Sequence, residues 1–270
     1  MEPLLSNSGT LHRRIAIAGQ SNAMGKGLRS QISSTMAGDP GLVIFDSNAF
    51  ERVYIWNPAS GAYENLRNGV NADAQNGTTM GPEFGIAVRW MRETSRGNLY
   101  IDKAQFDGQP IANFQSGSSR IYDNSNADGV SNYWNIALNR VNAANAWLAA
   151  RGIRPRNMGL LWVQGESDKG QTQAYYSGQL TTFLANRVAA NMQPAGALNL
   201  LVQMYPGTSL YSAEIVAAKS AVAAANPITT KTFQMSPYFN GDNLHNSARG
   251  QVQMGYDAFE LFFQKPRLVA

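Results

Sequence analysis

Ile15-Ala16-Ile17-Ala18-Gly19-Gln20-Ser21-Asn22-Ala23-Met24-Gly25 joins four apolar residues to a glycine-bounded turn that carries a serine. An apolar run of that length ending in Gly reads as a buried strand. A serine directly after it would stand at the carboxyl edge of a sheet. A helix is expected behind it, supplying amide donors and a positive dipole end. The plainer reading is a Gly-rich turn whose serine caps a helix. Two other motifs do not fit. A phosphate-binding loop needs Gly-x-x-x-x-Gly-Lys-Ser/Thr, whereas here Lys26 is followed by Gly27. The Gly-x-Ser-x-Gly elbow needs glycine where Ala23 stands.

Outward from this stretch, short apolar runs alternate with amphipathic ones, the pattern of an α/β layer fold. Strands are predicted over 42–45, 53–56, 99–104, 158–163 and 198–204. Pro82 opens a helix at its favoured first turn, carrying Phe84, Val88 and Met91 towards the core. Trp134, Leu138, Val141 and Leu148 recur at helical spacing, and Gly152 is the expected terminator. Further helices are expected over about 172–191, over 213–225, and after Ser247, where Val252, Tyr256, Phe259 and Phe263 share a face. Parallel strands joined by helices predict a three-layer α/β/α sandwich with a mainly parallel, flavodoxin-like central sheet. In such a fold the ligand sits beyond the carboxyl ends of the strands. Two polar stretches, 57–80 and 115–132, have the length of functional loops. The 270 residues are read as one domain, with 1–11 as a flexible N-terminal tail.

Composition narrows the chemistry. There is no cysteine, which excludes disulfides, thiolate metal sites and a cysteine nucleophile. With only His12 and His245, a multi-histidine zinc centre is excluded as well. No cofactor is expected. A net charge of +4 is spread over scattered Lys and Arg, so no nucleic-acid arm is expected, only a mild bias towards acidic substrates. Residues 1–10 lack the cationic start and apolar stretch of a signal peptide, and no apolar run has the length of a bilayer span. Charged residues are only 15%, leaving a surface of amides, hydroxyls and glycine that suits extracellular or virion-associated work.

Two further segments could join Ser21. In Asp242-Asn243-Leu244-His245 the carboxylate can reach Nδ1 of the ring and leave Nε2 free to take a serine's proton. Alone, this segment reads more readily as a surface loop with a helix-capping Asp. His12 lies before the first strand, hence near the other edge of the sheet. Trp162-Val163-Gln164-Gly165-Glu166-Ser167-Asp168 ends an apolar strand, so Gln164 and Glu166 should project at the carboxyl edge beside Ser21. An amide there can donate to an oxyanion and a carboxylate can orient an imidazole. An ordinary strand-end turn capped by Ser167 or Asp168 has the same sequence.

Taken together, the three blocks resemble the SGNH-hydrolase superfamily, in particular its sialate O-acetylesterase and carbohydrate esterase family 6 branch. That branch carries Gly-Gln-Ser-Asn, Trp-x-Gln-Gly-Glu-Ser-Asp and Asp-x-x-His in this order. The resemblance implies a serine esterase acting on O-acetyl groups of a carbohydrate such as a sialic acid, a xylan or a bacterial surface polysaccharide. By position Ser21 matches the nucleophile, His245 the base and Asp242 its partner. Glu166 is the alternative acid or a support behind the ring, and the local spacing favours Asp242. The oxyanion hole would comprise the amides of Ser21 and Gly108 with Gln164. Gly108 is the looser match, because Asp107-Gly108-Gln109 replaces the usual Gly-Gly-Thr/Ser. Gln20, Asn22 and Gln109 are the expected substrate-binding residues. A module of a larger assembly such as a phage tail is one setting such a chain would suit. Lipid or thioester hydrolysis, and a non-catalytic carbohydrate-binding module, are the competing functions.

Overall fold

The computed structural model describes residues 12–39, 41–46, 50–67, 77–111 and 133–263. The expected tail and the polar stretch 115–132 lie outside them. In chain order the elements begin with β1 (Arg13–Gly19), α1 (Ser21–Met24), β2 (Gly27–Leu28), α2 (Ile32–Thr35) and α3 (Gly41–Asp46). There follow β3 (Val53–Asn57), β4 (Ala62–Asn65), β5 (Thr79–Met80), α4 (Glu83–Glu93), β6 (Leu99–Gln105) and α5 (Tyr133–Ala149). The chain continues with β7 (Arg156–Val163), α6 (Gln173–Ala189), β8 (Leu198–Gln203), α7 (Ala213–Ala225), β9 (Thr230–Gln234) and α8 (Ala248–Phe263).

Seven strands form one sheet in the order β4-β3-β6-β1-β7-β8-β9, all parallel except β4. The run β6-β1-β7-β8-β9 is the flavodoxin-like order, and its direction of winding reverses at β1. β3 and the antiparallel β4 extend the sheet beyond β6, and β2 pairs with β5 in a separate ribbon.

Side-chain alternation along the strands sorts the two faces. Ile15 and Ile17 of β1, Leu161 and Val163 of β7, and Leu200 and Val202 of β8 pack with Phe84 and Val88 of α4 and with Val252 and Phe259 of α8. Ala16, Ala18, Leu160, Trp162 and Leu201 face the other way, against Trp134 of α5, Tyr176 and Phe183 of α6, and Ile215 of α7. Two alanines in β1 leave room for Trp162, which the register sets beside Ala18 and whose ring lies 4.6 Å from Phe183. The helix ends are chemically specified. Thr172 accepts from Tyr175 N–H at 3.2 Å to start α6, and Ser212 accepts from Ile215 N–H at 3.4 Å to start α7. No described helix is long and apolar enough to cross a membrane.

Three expectations need correction. Residues 42–45, expected as a strand, lie in the helix α3, where Phe45 packs on Phe84 at 5.2 Å; four apolar residues carry no period that separates the two forms. The polar stretch 57–80 contains β4 and β5, and Tyr63 of β4 pairs across the hairpin with Trp56 at 5.3 Å. β9 was not anticipated: Thr230-Lys231-Thr232-Phe233-Gln234 is an edge strand with one large apolar residue.

Gly19 is a structural requirement. Its φ is +141°, and a Cβ there would stand 1.9 Å from the Val163 carbonyl oxygen of β7. Gly19→Ala is therefore expected to cost about 3 kcal/mol or more. Urea unfolding followed by circular dichroism checks this, and an unchanged midpoint would refute it.

Candidate active site

The turn after β1 sets Ser21 at the carboxyl edge of the sheet, at the strand where the winding reverses. Gln20 N–H bonds to the Val163 carbonyl at 3.0 Å, and Gly25 N–H returns to the Ser21 carbonyl at 2.9 Å. The expected helix is a single turn, Ser21–Met24. So few aligned peptides leave little macrodipole, and only the local amides can serve an anion. Its far end is pinned by Lys103, which donates to the Met24 carbonyl at 2.6 Å and pairs with buried Glu83 at 2.9 Å.

Asp242 and His245 meet Ser21 from the loop after β9. Asp242 Oδ1 accepts the backbone N–H groups of Leu244 and His245, each at 2.9 Å, and Asn243 takes φ +52° to allow the tight turn. The ring then lies between two partners: Nδ1 is 2.7 Å from Asp242 Oδ2, and Nε2 is 3.1 Å from Ser21 Oγ. Partial burial works against a charged Asp242. The His245 and Leu244 N–H bonds and the ring outweigh it and hold the carboxyl below its ordinary range. His12 is elsewhere, at the start of β1, accepting from Asn98 N–H at 3.0 Å.

Asn22 is the joint of the site, and here the expectation of substrate contact is corrected. It is fully buried and its amide is taken up by protein. Nδ2 donates to Glu166 Oε1 at 2.8 Å and to the Leu244 carbonyl at 3.2 Å, and Oδ1 accepts from Asn246 N–H at 2.9 Å. Glu166 thus reaches the His245 loop through Asn22, and its described bond is to that amide and not to the ring. Gln20 is also turned inward. Its Oε1 faces Gly165 N–H at 3.4 Å and Ser167 N–H at 3.3 Å, which leaves Nε2 as the end not engaged in those bonds.

Gln164 is oriented by its neighbours. The Trp162 indole N–H can only donate, and it does so to the Tyr176 hydroxyl at 3.3 Å. That hydroxyl donates in turn to Gln164 Oε1 at 2.7 Å, which fixes which end of the amide is oxygen. Nε2 consequently faces Asp168 Oδ2 in a short bond and the Gln109 carbonyl at 3.4 Å. Both of its protons are engaged, so an oxyanion would have to break one of these bonds to be met by this side chain.

The turn after β6 completes the edge. Phe106 N–H bonds the Gly19 carbonyl at 2.9 Å, so this turn leaves the sheet beside the Ser21 turn. Gly108 is exposed with φ +66° and open space on its Cβ side. Gln109 curls its Nε2 onto the Asp107 carbonyl at 3.1 Å, and Lys26 pairs with Asp107 at 2.7 Å. Beneath the site lie two buried charged groups that had no part in the site as read from the sequence. Asp168 is wholly buried and its carboxyl is pushed up to about 6 by burial, against the opposing pull of its donors and Lys219. Lys219 of α7 donates to the Val202 carbonyl at 2.7 Å, and burial lowers it to about 8 although Glu166 and Asp168 support its charge. Lys219 had a signal: it shares the buried helical face of Ile215, Ala218 and Val222.

Residues 14–264 match the family model described as carbohydrate esterase, sialic acid-specific acetylesterase. Comparison with curated protein sequences returns no match. Among solved structures, a protein from Arabidopsis thaliana is similar at 16% identity and TM-score 0.64, covering 93% of this chain and 98% of its own. NanS is similar at 15% identity and TM-score 0.56, with 95% and 98% covered. A carbohydrate acetylesterase from Xanthomonas citri gives 15% identity and TM-score 0.52, covering 92% of this chain and 55% of its own. At such identities the likeness is one of fold.

Proposed function

The chain belongs to the carbohydrate esterase, sialic acid-specific acetylesterase family, and from that premise we propose that it hydrolyses O-acetyl esters of a carbohydrate through an acyl-enzyme on Ser21. One observation carries this reading: the hydrogen-bonded line from Asp242 Oδ2 through the His245 ring to Ser21 Oγ, at 2.7 and 3.1 Å. A carboxylate at Nδ1 favours the tautomer whose Nε2 has a free lone pair. Ser21 Oγ attacks the acetyl carbonyl while Nε2 takes its proton. The tetrahedral intermediate collapses as the imidazolium protonates the departing sugar hydroxyl. Water, deprotonated by the same Nε2, then attacks the acetyl-serine and releases acetate.

Negative charge on the carbonyl oxygen needs donors already in place. Ser21 is the first residue of α1, so its N–H takes no part in the ladder of that helix. Together with Gly108 N–H it forms the proposed oxyanion hole, and Gln164 acts from behind it. Gln20 Nε2 and Gln109 are the proposed sugar contacts. Lys26 and Asp107 form an ion pair beside this edge, which favours a sugar over an acyl chain at the leaving-group side.

A fluorophosphonate is expected to add to Ser21, read by peptide mass spectrometry. Acetate is expected from at least one of acetylated sialic acid, acetylated xylan and acetylated bacterial polysaccharide. An adduct on another serine, or cleavage of long-chain esters and thioesters with no acetate from any glycan, would overturn the proposal.

A further inference from the structure

Asp168 is a buried carboxylate that this mechanism does not use, and its bonds run to the turn that bears Gly108. Its Oδ2 accepts from Ile111 N–H at 3.0 Å and from the Gln164 amide, while Oδ1 meets no donor among the described residues. Gln164 adds a second tie to the same turn through the Gln109 carbonyl. The segment from Gln109 to Ile111 is therefore strapped to the end of β7 at two points. The direction of the chain Trp162 to Tyr176 to Gln164 to Asp168 is fixed, because its first member can only donate. The charged and titratable groups facing Asp168 are Lys219 from α7, Glu166 from its own turn, and Tyr175 and Tyr176 from α6.

Resting on the reading of Ser21 as nucleophile, we propose that Asp168 is a positioning residue that sets the oxyanion hole: its carboxylate draws the Gln109–Ile111 backbone against β7 and thereby holds Gly108 N–H at the ester carbonyl. A charged acceptor binds N–H donors about twice as strongly as a neutral one. Misplacing a reacting group by roughly 1 Å costs about 10²-fold in rate. Holding a charge here works against stability. Burial raises this carboxyl from 3.8 to about 6, so between those values the folded chain binds more protons than the unfolded one. Stability from this group is present at low pH and declines as pH rises through that window. A neutral side chain would avoid the decline and lose the stronger bonds.

Asp168→Asn keeps an oxygen for both donors and removes the charge, whereas Asp168→Leu removes both. Per folded molecule, kcat is expected to fall about tenfold for Asn and about 10²-fold for Leu. KM and the affinity for the deacetylated sugar should stay within about threefold, since the strap acts on the transition state. The affinity for a boronic acid that forms a tetrahedral adduct on Ser21 should fall in step with kcat/KM. At pH 8 the thermal midpoint of Asp168→Asn should not drop. Retention of kcat within about threefold per folded molecule would overturn the proposal. Equal loss of boronate and product affinity would do the same. If Asp168→Leu does not fold, Gln164→Leu, which cuts the tie to the Gln109 carbonyl and the bond to Asp168, takes its place with the same expected pattern. Wild type and Ser21→Ala run alongside. Absence of a Ser21-dependent reaction defeats the esterase reading, while a Ser21-dependent reaction indifferent to Asp168 defeats only this inference.

Discussion

Ser21→Ala and His245→Ala are each expected to lower kcat on an acetyl ester by about 10⁶, with KM little changed. Under the proposed mechanism the two side chains act as one unit, because Oγ would become a competent nucleophile only as Nε2 takes its proton across the 3.1 Å contact. Removing either member removes that step entirely. The double variant should therefore be hardly worse than the singles, since additivity fails for groups that share a function. Some catalysis over water, about 10³, should persist in all three variants, because binding and the backbone amides of Ser21 and Gly108 survive the substitutions. Neither change should unfold the chain: Ser21 is held by the backbone of its turn, and the His245 loop by the bonds of Asp242 to main-chain N–H groups. Steady-state acetate release with circular dichroism on each variant measures this. A single variant retaining activity within tenfold of wild type would remove Ser21 and His245 from the chemistry.

Which parts were legible in the sequence follows from how local their causes are. The run from Ile15 to Gly19 declares a buried strand by itself, and the two-residue period along β7 and β8 separates the faces without further information. The meeting of Ser21, Asp242 and His245 was readable because each stands at a strand end or in a short loop. The orientations of Gln164 and Asn22 were not legible for a common reason. Polar residues beside a nucleophile look like substrate contacts, but the direction of a side-chain amide is set by bonds made far along the chain. Asn22 is turned by Glu166 and Asn246, and Gln164 by Tyr176 of α6. β9 was missed because it carries one large apolar residue, and α3 because its four consecutive apolar residues carry no period that separates helix from strand. Lys219 was in plain view on the apolar face of its helix, and a helical wheel of 213–225 would have turned it inward.

The choice between Asp242 and Glu166 as the acid behind His245 gives the second large effect. Asp242→Asn is expected to cost about 10⁴ in kcat with the fold retained. The amide oxygen of the new Asn can still accept the Leu244 and His245 N–H groups, which turns its NH₂ towards Nδ1. Facing a donor, Nδ1 must accept, so the ring proton moves to Nε2, where it blocks removal of the Ser21 proton. The native carboxylate imposes the opposite tautomer, and because its bonds hold it below the ordinary range it stays charged at neutral pH. Glu166→Gln should cost about tenfold or less, because its oxygen can still accept from Asn22 Nδ2 and what is lost is one charge-assisted bond. Among the described bonds, its effect reaches His245 through Asn22 and the Leu244 and Asn246 backbone. Kinetics of the two single variants and the double variant decide the matter once all three are shown to be folded. A larger loss from Glu166→Gln would exchange the two roles. Comparable losses that do not add would mean that both carboxylates serve the ring together, coupled through Asn22.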